Sequence, residues 1–432
     1  MNTPSRHRRK FLRQTLSFIA LIMFWPLRKA SSMLNEKTSP EKTHNGRSGL
    51  TGASARSPVA VEPCAAYDPE TVFNAVSKAL AAIGFEVPRE KRVLLKPNII
   101  AQNTPDQAAT THPAVVEALC RIFAEAHCRI TIGDSSAFYQ HGGTLKGLHT
   151  SGMASIAGKY GAKLLPFEKY SIRKITAGKV LKEFWISDAV FEHDLVVDVP
   201  KLKVHRLARY TGAIKNMYGC IPGGTKQLYH EMFQNRSDYK EFWGGPIVDV
   251  YSAINPGLAV MDAVYGLDKD GPAANGKPRM TGVILASTNG AQLDIAACRM
   301  IGFAPRWVPA VRAAMERGLA DEREMRIVGS LPYIPYVKLP DKKPSKVSDY
   351  LFHQIIMKPV ISRSRCKNGC SACVRICRPG AISLDGQQLP VIDYSRCIRC
   401  YCCVEQCLHK EIRLQGGFLN HTIRVARRIM KI

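Results

Sequence analysis

Acidic residues are missing from three long stretches of this 432-residue chain. Residues 1–30 carry seven Lys/Arg and no Asp or Glu, residues 201–226 carry six and none, and residues 416–432 carry four and none. Overall, 61 Lys and Arg face 35 Asp and Glu, a formal charge of +26, which points to anionic partners. Other absences narrow the field. No GxGxxG run is present, so the nicotinamide and flavin fingerprint is missing. The GGTK at 223–226 lacks the Gly-Lys-Ser/Thr order of a P-loop. The apolar run Leu16–Leu27 falls short of the roughly 20 residues that a membrane span needs. Evenly spread cysteines, the mark of a disulfide framework, are also absent: nine of the fourteen fall within residues 366–407, and spacing that tight points to metal.

Those cysteines form two runs, CKNGCSACVRIC (366–377) and CIRCYCCVEQC (397–407). The second matches the C-x2-C-x2-C-x3-C run of bacterial ferredoxins; the first holds three residues, Lys367, Asn368 and Gly369, in its first gap. In two-cluster ferredoxins the last Cys of each run serves the other cluster. The expectation is therefore two four-iron, four-sulfur (4Fe-4S) clusters, one on Cys366, Cys370, Cys373 and Cys407, the other on Cys397, Cys400, Cys403 and Cys377. Gly369 can absorb the extra residue at positive φ, and Cys402 is a spare. The usual Pro after each fourth Cys is displaced to Pro379 in the first run and replaced by Leu408 in the second. Asp385-Gly386 marks a turn between two short strands. Residues 361–415 hold nine Lys/Arg against four Asp/Glu, which favours a reduced cluster and an acidic redox partner protein.

At the other end SRHRRKFLR (5–13) resembles a twin-arginine export signal, with His7 where Ser or Thr is usual. Arg28 and Lys29 follow the apolar run, and a basic-flanked anchor or Sec signal is the alternative. Export of an already folded protein reconciles clusters with an oxidising compartment. The chain is thus expected in the periplasm or on the outer face of the cytoplasmic membrane. Residues 1–32 read as the signal or anchor and 33–58 as a flexible linker. In the tail (416–432) Leu419, Ile423, Ala426 and Met430 share a helical face away from Arg424, Arg427, Arg428 and Lys431, a pattern for an anionic membrane surface or for packing on its own domain. Export also removes nucleic acid as a partner.

Between these ends, residues 59–336 alternate helical and β-branched segments. Helical spacing marks 69–85 and 112–126; strands are expected at 92–98, 128–134, 194–203, 258–264 and 282–287. The fold class is α/β, a largely parallel sheet flanked by helices, joined by a linker (337–360) to a small α+β two-cluster ferredoxin-like domain (361–415). In such sheets ligands bind beyond the carboxyl ends of strands. Those ends carry Lys96 and Asn98; Thr110, Thr111 and His112; Asp134 and Ser135; Lys201, Lys203 and His205; Lys215, Asn216 and Lys226; and Asp262. Several cations and amides at one sheet edge make an anion cradle, although singly each residue has a structural explanation. The spacing of His112, His205 and His230 does not require a metal.

The stretches KPNII, TTHPAVVEAL, ITIGDSS, VPKLKVH, TGAIKNMYG and LDIAACRMIGF, in order from about residue 60 to 305, resemble the family known as domain of unknown function 362. The resemblance implies an iron–sulfur protein and brings no reaction with it; Lys96, Asn98, His112, Asp134, Lys201, Lys203, His205, Lys215 and Asn216 become the family's suspected site. The expected function is electron transfer between two 4Fe-4S clusters and a small anionic ligand. Lys96, Lys201, Lys203 and Lys215 would neutralise its charge, Asn98 and Asn216 would orient it, and His205 or Asp134 would handle protons. Whether this makes the chain an oxidoreductase stays open at this level. The alternative is a non-catalytic electron carrier whose α/β domain docks a larger oxidoreductase.

Overall fold

The computed structural model describes residues 57–136, 142–233, 236, 238–272, 276–339, 357–363, 366 and 370–416. The segment expected to be an export signal, most of both expected linkers, the Lys367–Gly369 insertion and the basic tail beyond Gly416 lie outside the described residues.

The chain enters a ten-stranded sheet at β1 (Val59–Pro63). Helix α1 (Pro69–Ala82) follows, started by Asp68, whose carboxylate accepts the Thr71 N–H at 3.0 Å, and by Pro69 at the first turn, where no N–H is needed. Then come β2 (Arg92–Pro97), α2 (Pro113–Glu125), β3 (Arg129–Asp134), β4 (Lys163–Pro166) and β5 (Leu195–Val199). The single strand expected at 194–203 is two: Pro200, lacking a backbone donor, separates β5 from β6 (Lys201–His205). β7 (Arg209–Thr211), α3 (Ala213–Asn216), α4 (Thr225–Phe233) and α5 (Gly244–Ile254) precede the long hairpin β8 (Leu258–Asp268) and β9 (Lys277–Ser287). Helix α6 (Gly290–Met300) and β10 (Ile327–Gly329) complete this body. The order is β10-β1-β9-β8-β5-β2-β3-β4, with β6 pairing β8 and β7. From β8 through β4 every neighbour is parallel, and β9 is the antiparallel insertion.

Parallel pairing gives the central strands two buried faces, and their side chains alternate between two cores. Val93 and Leu95 face Val76, Leu119 and Phe123 of α1 and α2; Leu94 and Val196 belong to the opposite cluster with Trp243, Ile247 and Leu293. Each such fully buried side chain stabilises the fold by about 1.5–3 kcal/mol. The same pairing places the carboxyl ends of β2, β3, β5 and β8 on one edge, with Lys96 in register with Asp198.

A second, smaller element group is built as β11 (Lys358–Ile361), α7 (Ala372–Ile376), β12 (Ile382–Leu384), β13 (Pro390–Ile392), α8 (Cys402–Glu405) and β14 (Ile412–Gln415). β11 pairs β14 and β12 pairs β13, both antiparallel, so two strand–helix–strand halves face each other. The group begins at Lys358, inside the segment expected to be linker, because Lys358 already pairs with Gln415. Its 382–392 hairpin turns at Asp385, whose carboxylate accepts the N–H groups of Gln387 and Leu389. This unit and the α/β body belong to one compact unit of the chain. No helix among the described residues is long and apolar enough to cross a membrane.

Candidate functional site

At the carboxyl edge of the sheet lies a cavity of about 70 Å³, lined by Asn98, Lys201, Lys203, Lys215, Asn216 and Lys226, with Asp134 and Ser135 on its wall. That is room for a small oxyanion or carboxylate.

Asn216, the last residue of α3, organises the floor. Its Oδ1 accepts from Asn98 Nδ2 (3.0 Å) and Lys96 Nζ (3.2 Å), and its Nδ2 donates to the Lys96 carbonyl (3.1 Å) and to Asp198 Oδ1 (2.7 Å). Both ends of the amide are used, so Asn216 fixes its neighbours and does not reach for a ligand. Lys96, fully buried, makes an ion pair with Asp134 at 2.7 Å, and the other Asp134 oxygen accepts the Ile99 N–H at 2.7 Å. The strand-end Lys and the Asp at the end of the neighbouring strand thus lock each other. Gly219 lets this pair form: a Cβ there would sit 2.6 Å from Asp134 Oδ1 and 2.7 Å from Lys96 Nζ.

Lys203 donates to Asn98 Oδ1 and, at 2.8 Å, to the Ala109 carbonyl. Burial, then the charges of Lys215 and Lys201, push its pKa well below the usual lysine value. Lys201 is 1% exposed and is paired with Asp262 at 2.8 Å while donating to Tyr67 OH at 2.8 Å. Tyr67 OH donates to the other Asp262 oxygen at 2.7 Å, and its ring stacks on His112 with centroids 3.5 Å apart. Lys215 differs from all of these. It reaches the cavity and makes no hydrogen bond or ion pair among the described residues. Burial, with the charges of Lys226 and Lys96, lowers its pKa to about 8. Lys226, also lowered to about 8 and chiefly by burial, donates to the Ser135 carbonyl (2.6 Å) and hydroxyl (2.7 Å).

Three expected residues do not line this cavity: Lys96, held in its ion pair with Asp134, and the two histidines. His112 is the N-cap of α2, its Nδ1 accepting the Ala114 N–H at 3.2 Å, and burial lowers its pKa to about 4. His205 closes the β6–β7 turn, its Nδ1 accepting from Leu207 (3.0 Å) and Ala208 (3.2 Å). Neither histidine lines the cavity, so proton handling falls to other groups; the His230 side chain lies outside the described residues. Conversely, the structure adds acids that the sequence reading passed over. Among the described residues Asp198 Oδ2 is buried without a hydrogen-bond partner, and burial raises the carboxyl well above its usual value. Its signal was an acid inside the β-branched run LVVDV. Asp294, raised by burial to about 7, accepts the N–H groups of Ala213 and Ile214 and seats the start of α3. Glu168 is buried, with Ser135 Oγ and Thr144 Oγ1 donating to it; nothing in its local sequence announced it.

Electrostatic neighbours group the described cysteines around Cys366 and around Cys400, with Cys402 beside Cys400 and Cys403. Cys366 has Cys370 and Cys407 as electrostatic neighbours, and Cys373 has Cys366 and Cys370. Cys377 neighbours Cys400, and Cys397 neighbours Cys400 and Cys377. Cys403 belongs with Cys400, Cys397 and Cys377, and also touches the field of Cys373 where the groups adjoin. The two halves repeat a detail: Ala381 N–H donates to Cys377 Sγ at 3.2 Å, and Glu411 N–H to Cys407 Sγ at 3.3 Å, each four residues after the last Cys of its run. Backbone donors aimed at sulfur suit thiolates that carry cluster charge, so these residues fit two 4Fe-4S groups. Arg399, which precedes Cys400 as Gly369 precedes Cys370, sits at φ 55°, a conformation open to glycine without strain. Among the described residues no three His, Cys, Asp or Glu side chains converge on a single metal ion; a four-iron cube spreads its ligands more widely.

A family model described as "Domain of unknown function (DUF362)" matches residues 93–299, which contain the whole cavity. The thylakoid-associated protein sll1697 of Synechocystis sp. is 30% identical over 241 residues, covering 56% of this chain and 72% of that protein. Among solved structures, the lactate racemase apoprotein from Thermoanaerobacterium thermosaccharolyticum overlaps 57% of each chain at 15% identity and a TM-score of 0.36. Residues 93–299 and the shared length with the Synechocystis protein together place this chain in the DUF362 family.

Proposed function

We propose that this chain is an iron–sulfur redox protein that moves electrons to or from a small anionic ligand held in the strand-end cavity. The observation that carries the reading is Lys215: a half-buried amine with no hydrogen bond or ion pair among the described residues, facing a cavity shared with Lys201, Lys203 and Lys226. Unpaired buried cations are costly unless a counter-charge arrives. Lys215 and Lys203 would meet that charge, Lys226 would close the far wall, and Asn98, held by Asn216, would donate or accept from a fixed position. Asp198, its carboxyl pushed up by burial and its Oδ1 accepting from Asn216, would offer its unpartnered Oδ2 as a site for a proton. Cys366, Cys370, Cys373 and Cys407 would hold one 4Fe-4S group and Cys377, Cys397, Cys400 and Cys403 the other; when bound, these groups supply one-electron chemistry. The histidines at the edge do not take part.

The twin-arginine-like signal and basic tail support an exported protein at the outer face of the membrane, and the relative's name, thylakoid-associated, agrees with a membrane-surface location. The test has two parts. Sulfate binding by calorimetry should weaken in Lys215→Met and Lys203→Met, and anaerobically purified chain should carry iron and acid-labile sulfide. Iron with no sulfate binding in the wild type would leave the electron carrier without a substrate. Neither would end the reading.

A further inference from the structure

The cavity and the cysteine unit are joined by four residues, Gly223 to Lys226. Gly223, at φ +58°, lies so close to the second cysteine run that a Cβ would be 2.4 Å from the Cys400 carbonyl oxygen; at Gly224 it would be 2.3 Å from Tyr401 OH. The Gly224 N–H donates to the Arg399 carbonyl at 2.9 Å, and Thr225 Oγ1 to the Ile398 carbonyl at 2.8 Å. The next residue is Lys226, whose ammonium lies on the cavity wall against Ser135. Ser135 Oγ and the Gly223 N–H also share Glu168 Oε1, the latter at 3.3 Å. More bonds leave the same run: Glu405 Oε1 accepts the Gly142 N–H at 2.9 Å, and Gln406 Nε2 donates to the Lys169 carbonyl at 2.9 Å. Cys366, Cys370 and Cys373 contribute to none of these contacts.

Resting on the iron–sulfur reading above, we propose that the two cysteine groups are ordered. The group of Cys377, Cys397, Cys400 and Cys403 is the inner redox centre, coupled to the cavity through Gly223–Lys226; that of Cys366, Cys370, Cys373 and Cys407 is the outer centre, facing a redox protein partner. The step between them is a single electron: the outer centre is oxidised by one as the inner is reduced by one, and no bond forms or breaks. Because an added negative charge opposes an anion nearby, reduction of the inner centre and occupancy of the cavity disfavour each other, and by linkage each reports on the other. Lys226 is the positioning residue of this coupling.

The test is a potentiometric titration of the full chain at about pH 7, followed by EPR, after iron analysis of the same sample. Replacing Lys226 by Met removes one ammonium beside the inner centre. The reduced-to-oxidised ratio at fixed potential should fall about tenfold at one centre, a shift of about 59 mV, and stay unmoved at the other. The signal that moves should vanish in Cys397→Ser and survive in Cys366→Ser. Thr225→Val, which removes one bond to the run and keeps its shape, should move the same signal. Equal movement of both centres, movement of neither, or movement of the signal that survives Cys397→Ser would overturn the ordering. A sample without iron would overturn the iron–sulfur reading itself, and the ordering with it.

Discussion

The pH dependence of anion binding is the sharpest consequence of the cavity. Burial first, reinforced at Lys215 by neighbouring ammonium groups and opposed at Lys226 by the carboxylates of Glu168 and Asp134, brings both lysines to about 8. An ordinary lysine near 10.5 remains charged at about pH 9, whereas a group at about 8 has lost about nine-tenths of its charge there. If both must be charged to hold a divalent oxyanion, affinity falls about tenfold for each between about pH 7 and pH 9. Together that is about 100-fold, or about 2.7 kcal/mol. Sulfate is the suitable probe because its own charge is constant over this range. Isothermal titration calorimetry of the full chain at both pH values gives the ratio directly, and Lys215→Met should remove about one power of ten from it. Without sulfate the sign for stability is reversed. The folded pKa lies below the unfolded one, so the fold binds fewer protons between about 8 and 10.5 and its stability rises through that window. An affinity flat from about pH 7 to pH 9, or a decline that Lys215→Met leaves intact, would refute the claim that these amines hold the anion.

Further outcomes can be checked on the same protein. Asp198→Asn should raise the urea midpoint at about pH 7. A carboxyl whose folded pKa is raised contributes fully only below its unfolded value near 4 and loses that contribution as pH rises, so the gain should vanish by about pH 4. Asp262→Ala strips the Lys201 ammonium, the Tyr67 hydroxyl and the His112 N–H of a common acceptor and should cost about 3–5 kcal/mol in urea unfolding; a loss under about 1 kcal/mol would show water replacing the carboxylate. Iron and sulfide should each come to about eight per chain, and Cys402→Ser should keep them, since the spacing leaves Cys402 outside both quartets; about four iron would mean that the lengthened first loop does not bind.

How much of this was legible in the sequence differs by element. Two helices and five strands of the α/β body were readable because β-branched runs and 3.6-residue spacing are local signals, and Asp68 and Pro69 mark a helix start in plain view. The break at Pro200 was visible in principle, since a proline cannot donate within a ladder. The gathering of Lys96, Asn98, Asp134, Lys201, Lys203, Lys215 and Asn216 followed from one rule, that parallel strands deliver their carboxyl ends to one edge. What that rule could not supply is direction. His112 and His205 sit at the right places along the chain, yet each imidazole turns back to its own backbone, an outcome decided by cap geometry two or three residues away. Glu168 was missed for the opposite reason: in sequence it resembles a solvent-facing acid, and only the packing reveals that it is buried, whereas Asp198 was passed over although it stands inside the β-branched run LVVDV. The GGTK stretch was rejected as a phosphate loop, and its glycines serve instead to admit another backbone.

The seat beneath the second cysteine run also sets an order in time. Glu405 reaches Gly142 across 263 positions of sequence, Gln406 reaches Lys169 across 237, and Ile398 meets Thr225 across 173. On the ribosome, where domains form from the N-terminal side, every surface of that seat has been synthesised long before the run that occupies it. The cysteines of residues 397–407 therefore emerge onto a finished template, and a chain interrupted before them would display the bare glycine seam of Gly223 and Gly224 to whatever else is nearby.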